Sequence, residues 1–336
     1  MSSSTDRLNS FLAARNESTE VQLLTADAST REYFRIPWNG ETAIACVYPE
    51  PFDAAEQNYL DVTRLFLAAG LPVAEVFDVD GALGVIVEED LGDTILRDVL
   101  GAGATEDNAR LRNEAMALIA RIQATTAKAA EMQSVASTLK FDTEKLLWEL
   151  NYFKTHYFTT YLGRPLSAED DAALTEEFEE LAGELEGYAS VLCHRDFHTA
   201  NLMLDGKSRM RIIDHQDARI GSPAYDLVSL LLDRITELPS RDWLAEQRRY
   251  FLKVRVTLGL GRLDEEEFAQ EFRLQTIQRC LKAAGTFSFQ SATRGKTCFI
   301  PFIEPMFRIS IRGAESLGRF PAIRRIIGRE VGASQA

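Results

Sequence analysis

One stretch of the chain concentrates side chains suited to handling a phosphoryl group. It runs Val191-Leu-Cys-His-Arg-Asp-Phe-His-Thr-Ala-Asn-Leu-Met-Leu204, and Met210-Arg-Ile-Ile-Asp-His-Gln-Asp217 follows it. His194-x-Asp196-x4-Asn201 lies within the first segment, and Asp214 comes thirteen residues after Asn201. Phosphoryl transfer needs positioning and charge neutralisation more than covalent help from protein. By residue type, Asp196 accepts or orients the proton of an acceptor hydroxyl. Asp214 holds the Mg2+ that bridges ATP phosphates, and the Asn201 amide oxygen completes the metal shell without adding charge. HxDxxxxN alone arises by chance. Here, however, three of the four histidines fall between 194 and 215. The pattern also places strands at 201–204 and 210–213 around Asp205-Gly206, a hairpin that returns Asp214 toward Asn201.

The elements around this stretch change character along the chain. A short amphipathic helix is expected over 5–15. Strands are expected over 20–24, 33–37, 42–48, 73–79 and 83–87, with Asn39-Gly40 as a hairpin turn. A helix over 54–69 ends at Gly70 and Pro72. Beyond Glu89-Asp-Leu-Gly92 the spacing turns helical, over 106–131, 142–162 and 168–186. Residues 101–104 read as a loop. A β-rich island covers 191–220, and helical periodicity returns from Tyr225 to the end. The expectation is an α+β, bilobal molecule: a small β-rich N-lobe over 1–90 and a larger, mostly helical C-lobe over 91–336. The aromatic stripe Trp148, Tyr152, Phe153, Tyr157, Phe158 and Tyr161 reads as core.

Composition excludes several classes. The formal charge of −14 disfavours nucleic acid and anionic membranes as partners. The cysteines Cys46, Cys193, Cys280 and Cys298 are too widely spaced for a zinc site or disulfide framework. The polar start Met1–Arg7 lacks a signal-peptide core, and no apolar run approaches a membrane span. A cytoplasmic protein, monomer or weak dimer, is expected.

The residues HRDFHTANLML and RIIDHQDA resemble the catalytic and metal loops of the aminoglycoside phosphotransferase and choline kinase-like superfamily. That resemblance implies a protein-kinase-like fold. Gly221-Ser-Pro-Ala-Tyr-Asp-Leu is similar to the helix start that follows the metal loop there, with Asp226 bracing the catalytic loop. Asp27-Ala-Ser-Thr-Arg-Glu-Tyr-Phe-Arg35, Glu89-Asp-Leu-Gly-Asp93 and Gln278-Arg-Cys-Leu-Lys-Ala-Ala-Gly-Thr-Phe287 narrow it. Together they resemble the anomeric N-acetylmuramate/N-acetylglucosamine kinases of cell-wall recycling, over roughly residues 8–320. The implied reaction is ATP plus an amino sugar giving the sugar α-1-phosphate.

Departures from ordinary protein kinases shape the remaining expectations. Residues 27–35 contain no glycine, and Thr42–Tyr48 contains no lysine. Arg31 and Arg35 are therefore the candidates to neutralise ATP phosphates, with Ser29 and Thr30 as donors. Glu56 is a candidate to orient an arginine. The backbone from Glu89 to Leu91 is the candidate for the adenine edge. Substrate contacts are assigned to Arg195, His198, Asp233, Arg234 and Trp243, and a lactyl carboxylate, if present, to Arg279 and Lys282. His194, Gln216 and Asp217 are supporting residues, and His215 is not required as a ligand. The rival readings are a kinase for an aminoglycoside or choline, a non-catalytic nucleotide-binding regulator, and a protein kinase. The chain-wide acidity keeps a cationic acceptor open.

Overall fold

The structure, a computed structural model, describes residues 3–24, 31–101 and 106–333. Ser29, Thr30 and residues 102–104 of the expected loop lie outside the described residues. The chain divides into two compact units. One is built from residues up to Ala109 with Lys128–Val135 and Thr199–Asp217. The other takes Arg110–Ala127, Ala136–His198 and the chain from Ala218 on.

The first unit is organised by a five-stranded antiparallel sheet. Its strands are β1 (Gln22–Leu24), β2 (Glu32–Trp38), β3 (Glu41–Val47), β4 (Val76–Asp80) and β5 (Val85–Glu89), in the order β1-β2-β3-β5-β4. Period-two alternation gives the sheet two apolar faces. Phe34, Ile36, Ala43, Ala45, Val47, Val85 and Val87 pack with Leu8, Phe11 and Leu12 of the helix Ser4–Ala13. On the opposite face Cys46 and Ile86 pack with Tyr59 of the helix Asn58–Ala68. That helix starts four residues later than the expected 54–69, where Gln57 supplies the cap. Asn39 and Gly40 turn β2 into β3 with φ of +50° and +83°, the conformation a two-residue hairpin loop requires.

The same unit contains a small three-stranded sheet in which Leu202–Leu204 lies between Thr94–Ile95 and Met210–Ile212. Asp205 closes the connecting turn by accepting from the Lys207 and Arg209 N–H groups at 2.9 and 3.0 Å. This hairpin presents Asn201 and Asp214.

The second unit is helical around the 30-residue helix Glu265–Arg294. Buried residues cover nearly its whole circumference, including Leu274, Ile277, Leu281, Ala284 and Phe287, so it is a core helix rather than a surface one. Asp264 caps its start by accepting from the Glu266 and Glu267 N–H groups at 2.9 and 3.0 Å. A Cβ at Gly285 would lie 2.5 Å from Phe153 Cα, so the crossing with helix Thr143–Lys154 demands glycine. The expected helix over 168–186 is continuous as Ala168–Tyr188, whereas the other two are interrupted. The 106–131 segment is Glu106–Ala124 and then Thr126–Glu131, with the Thr125 hydroxyl bonding back to Arg121 O at 2.9 Å. Over 142–162 the last turns widen into a π-helix, Thr155–Tyr161, in which the adjacent Tyr157 and Phe158 both bury. Val191–Cys193 pairs antiparallel with Arg219–Gly221.

Candidate active site

Within the first unit, Asn201 and Asp214 come together. Asn201 Nδ2 donates to Asp214 Oδ2 at 3.3 Å, and Gln216 Nε2 donates to Asp214 Oδ1 at 2.8 Å. Asp214 has φ +62°, an unusual backbone for a residue with a side chain, and Gln216 helps fix how its carboxylate points. Arg31 Nη2 reaches Asp214 Oδ1 at 3.3 Å, and its guanidinium lies 5.6 Å from the rings of both Tyr33 and Tyr48. His215 is buried between Tyr59 and Phe66 and shares a 2.7 Å hydrogen bond with the Thr63 hydroxyl. One carboxylate and one amide, both hard oxygen donors, are the donor types that would suit Mg2+. Among the described residues no cluster of three or more His, Cys, Asp or Glu forms a metal cage.

Other residues of this unit are occupied by ion pairs. Arg35 is forked onto Asp90 (2.7 Å) and Asp93 (2.9 Å). The Glu89 side chain accepts from Arg211, with Nη1 at 2.7 Å, while Arg211 Nη2 also donates to Val73 O at 2.8 Å. These contacts tie β5 to the metal-loop hairpin. Leu91 is buried. Glu56 is exposed in the turn before the helix rather than on it. Glu88, bonded by the Tyr59 hydroxyl, is pushed by burial up to about 7.

Within the second unit, Asp196 is surrounded by cations. Lys282 Nζ lies 3.0 Å and Arg279 Nη2 3.1 Å from Asp196 Oδ1, and Arg195 Nε lies 3.8 Å from Oδ2. Burial opposes the Asp196 charge, but Lys282, Arg195 and Arg279 outweigh it and hold the carboxyl well below the usual carboxylate range. Arg279 also donates to Ser229 Oγ at 3.0 Å and lies 3.5 Å from Asp233. Arg234 is 3.5 Å from Asp233, and its guanidinium lies 5.0 Å from the Phe299 ring. Arg195 also approaches Glu149, at 3.9 Å. Glu149 is fully buried and accepts from Gln278 at 2.9 Å.

The loop that carries Asp196 is pinned from below. Asp226 accepts from the His194 N–H at 2.7 Å and the Arg195 N–H at 3.0 Å. Arg195 has φ +87°, so these two hydrogen bonds hold a strained backbone in place. Burial pushes the Asp226 carboxyl up to about 6, against the opposing pull of His194 and those two N–H groups. His194 is fully buried, its ring edge-on to Phe197. Burial lowers the His198 pKa, against the opposing pull of Asp233 and Asp196. Trp243 stacks with Arg112, whose guanidinium is 5.2 Å from the indole. Asp217 follows Gln216 at the end of the metal-loop segment.

The sequence reading missed Glu149 as the buried anchor of Arg195 and Gln278. An isolated glutamate inside a helical pattern carries no signal of that role. Arg279 and Lys282, candidates for a lactyl carboxylate if muramate is the substrate, both contact Asp196.

The phosphotransferase enzyme family matches residues 20–265, so the chain belongs to that family. It is a phosphotransferase that uses an alcohol group as acceptor. The N-acetylmuramate/N-acetylglucosamine kinase of Neisseria meningitidis serogroup B is 29% identical over 93% of this chain and 92% of its own length. The protein of the same name from Caulobacter vibrioides is 30% identical over 88% of this chain and 86% of its own. Among solved structures, a gentamicin complex of an aminoglycoside phosphotransferase superposes with TM-score 0.61 at 14% identity, covering 96% of this chain and 99% of that one. That likeness shows a protein-kinase-like α+β fold. No helix among the described residues is long and apolar enough to cross a membrane.

Proposed function

We propose that this phosphotransferase moves the γ-phosphoryl of ATP to the anomeric hydroxyl of an amino sugar, N-acetylmuramate or N-acetylglucosamine. The product is the sugar α-1-phosphate, made in the cytoplasm during cell-wall recycling. The observation that carries the choice of acceptor is the charge around Asp196. Four cations (Arg195, Arg234, Arg279, Lys282) stand against three carboxylates (Glu149, Asp196, Asp233). Such a surround suits a neutral or acidic sugar and repels a cationic aminoglycoside or choline. The −14 of the whole chain does not decide this, because the local field governs what enters a cleft. The names of the relatives support the same acceptor.

In this reading Asp196 accepts a hydrogen bond from the anomeric hydroxyl and aims its oxygen at phosphorus. Its low proton affinity makes it an orienting acceptor that takes the hydroxyl proton late, after the bond from the γ-phosphorus to the departing ADP oxygen has largely broken. His198, Asp233, Arg234 and Trp243 contribute to the sugar side. Arg31 neutralises ATP phosphates, while the backbone from Glu89 to Leu91 takes the adenine edge. Asn201 and Asp214 hold Mg2+, which when bound neutralises charge on the phosphates. Residues 1–90 then serve ATP together with Leu91, Asn201 and Asp214, and the rest of residues 91–336 carries the catalytic loop and the sugar.

The test is incubation with ATP, magnesium and a panel of N-acetylmuramate, N-acetylglucosamine, kanamycin and choline, with the product located by phosphorus NMR. Anomeric phosphate on an amino sugar is expected. Turnover confined to the cationic acceptors, or phosphate on another hydroxyl, overturns the reading.

A further inference from the structure

Three helices of the second unit line a solvent-open cleft of about 230 Å³ that the reaction above does not use. Helix Arg241–Thr257 contributes Arg241, Leu244 and Arg248, which share one face at spacings of three and four. Helix Glu265–Arg294 contributes Phe272 and Arg273, and helix Ile303–Leu317 contributes Arg312. Gly313 on the last helix lets the two backbones approach, since a Cβ there would meet Arg273 O at 3.3 Å. The lining is thus four arginines over an apolar floor of Leu244 and Phe272.

This concentration is anomalous in a chain with 51 acidic and 37 basic residues. Among the described residues the four guanidiniums have one carboxylate in ion-pair range, Glu266, at 3.2 Å from Arg273. Arg248 lies over Phe272 at 5.2 Å. Arg312 Nη1 donates to Pro239 O at 2.6 Å, while its Nη2 is buried and has no hydrogen-bond partner. A buried guanidinium N–H without an acceptor is costly unless a ligand supplies one.

We infer that this cleft is a second binding site, specific for the diphosphate group of a small molecule. Two adjacent phosphates offer several acceptor oxygens to four planar donor forks, the pairing arginine makes best. The volume corresponds to roughly eight waters, enough for a diphosphate with its remainder outside. Burial lowers the Arg248 pKa and Arg273 lowers it further, with Glu265 and Glu266 opposing; burial and then Arg241 lower it at Arg312. An anion relieves both costs.

The test is calorimetry on the full chain with inorganic pyrophosphate and, separately, ADP, in EDTA so that metal-dependent nucleotide binding is silent. Binding that weakens with salt is expected. The double variant Arg248→Gln/Arg312→Gln should weaken it at least about tenfold. The exposed Arg241→Gln, which removes charge without touching the core, should weaken it by a smaller factor, with an unchanged melting temperature. If the component lost in the double variant is tighter for ADP, the occupant is an organic diphosphate; if tighter for pyrophosphate, the inorganic ion. Absence of binding at millimolar pyrophosphate and ADP, or equal binding by wild type and both variants, overturns the site. Neither result bears on the sugar kinase reading, whose assay is separate.

Discussion

Lys282 Nζ sits 3.0 Å from Asp196 Oδ1, although 86 residues separate the two in the chain. The contact couples the middle of the longest helix to the loop proposed to receive the acceptor hydroxyl. It makes the behaviour of Asp196 depend on a lysine outside the motif.

Replacing the carboxylate itself gives the primary test. Asp196→Asn should bind ATP normally while turnover falls at least about a hundredfold, the lower range for a positioned acid or base. Single-turnover kinetics beside ATP calorimetry separates the two. A near-normal rate would exclude Asp196 from the chemistry.

Lys282→Met should change the pH dependence. Lys282 is the first of the cations that depress the Asp196 pKa, so its removal raises that pKa. The acid limb of kcat/KM should move to higher pH, with activity at pH 5 falling more than at pH 8. Lys282→Arg should restore the profile. Parallel profiles for wild type and the methionine variant would rule out the coupling.

Two arginines of β2 and its approach should separate. Arg31 pairs with Asp214 at 3.3 Å, whereas Arg35 is held by Asp90 at 2.7 Å and Asp93 at 2.9 Å. Arg31→Ala should raise the KM for ATP about ten- to hundredfold, the loss of one charge-assisted hydrogen bond. Arg35→Ala should raise it less and lower the melting temperature more. The reverse ranking would assign the phosphates to Arg35.

Metal dependence should follow Asp214. EDTA should abolish turnover, and Asp214→Ala should lose magnesium-dependent ATP binding in calorimetry. An Asp214→Ala protein with wild-type magnesium response would move the metal elsewhere.

Glu271 should make stability fall with rising pH. Its carboxylate accepts from the Ser222 hydroxyl and, at 2.9 Å, from the Ala224 N–H, yet burial pushes it from 4.5 up to about 7. A raised folded pKa means the contribution is complete below the unfolded value and is lost as pH climbs through the folded one. Between about pH 4.5 and 7, wild type should lose up to roughly 3 kcal/mol relative to Glu271→Gln, with no further divergence above. Melting curves across that window that stay parallel would contradict this.

The legible parts of the molecule were those coded locally. Asn39-Gly40 announced its hairpin because few other residues accept positive φ in succession. The hairpin between Asn201 and Asp214 was legible from its turn residues. Longer-range facts were not. Arg279 and Lys282 share a helix face by spacing, but spacing does not say that the face meets Asp196. Glu149 gave no sign of being buried, because a charged residue goes inside only when distant partners compensate it. The π-helical turn at Thr155–Tyr161 depends on packing against Phe307, more than 140 residues on.

Asp226 grips two consecutive peptide N–H groups, those of His194 and Arg195, and so sets the direction in which the following residue leaves the main chain. Random mutagenesis scored by activity should therefore return position 226 beside position 196, even though Asp226 itself lies fully buried beneath the loop. The two classes of dead variant would differ in heat tolerance. Loss of Asp196 removes a carboxylate that its cations hold in place; loss of Asp226 frees a taut segment to relax, and the misaimed nucleophile guide is a by-product.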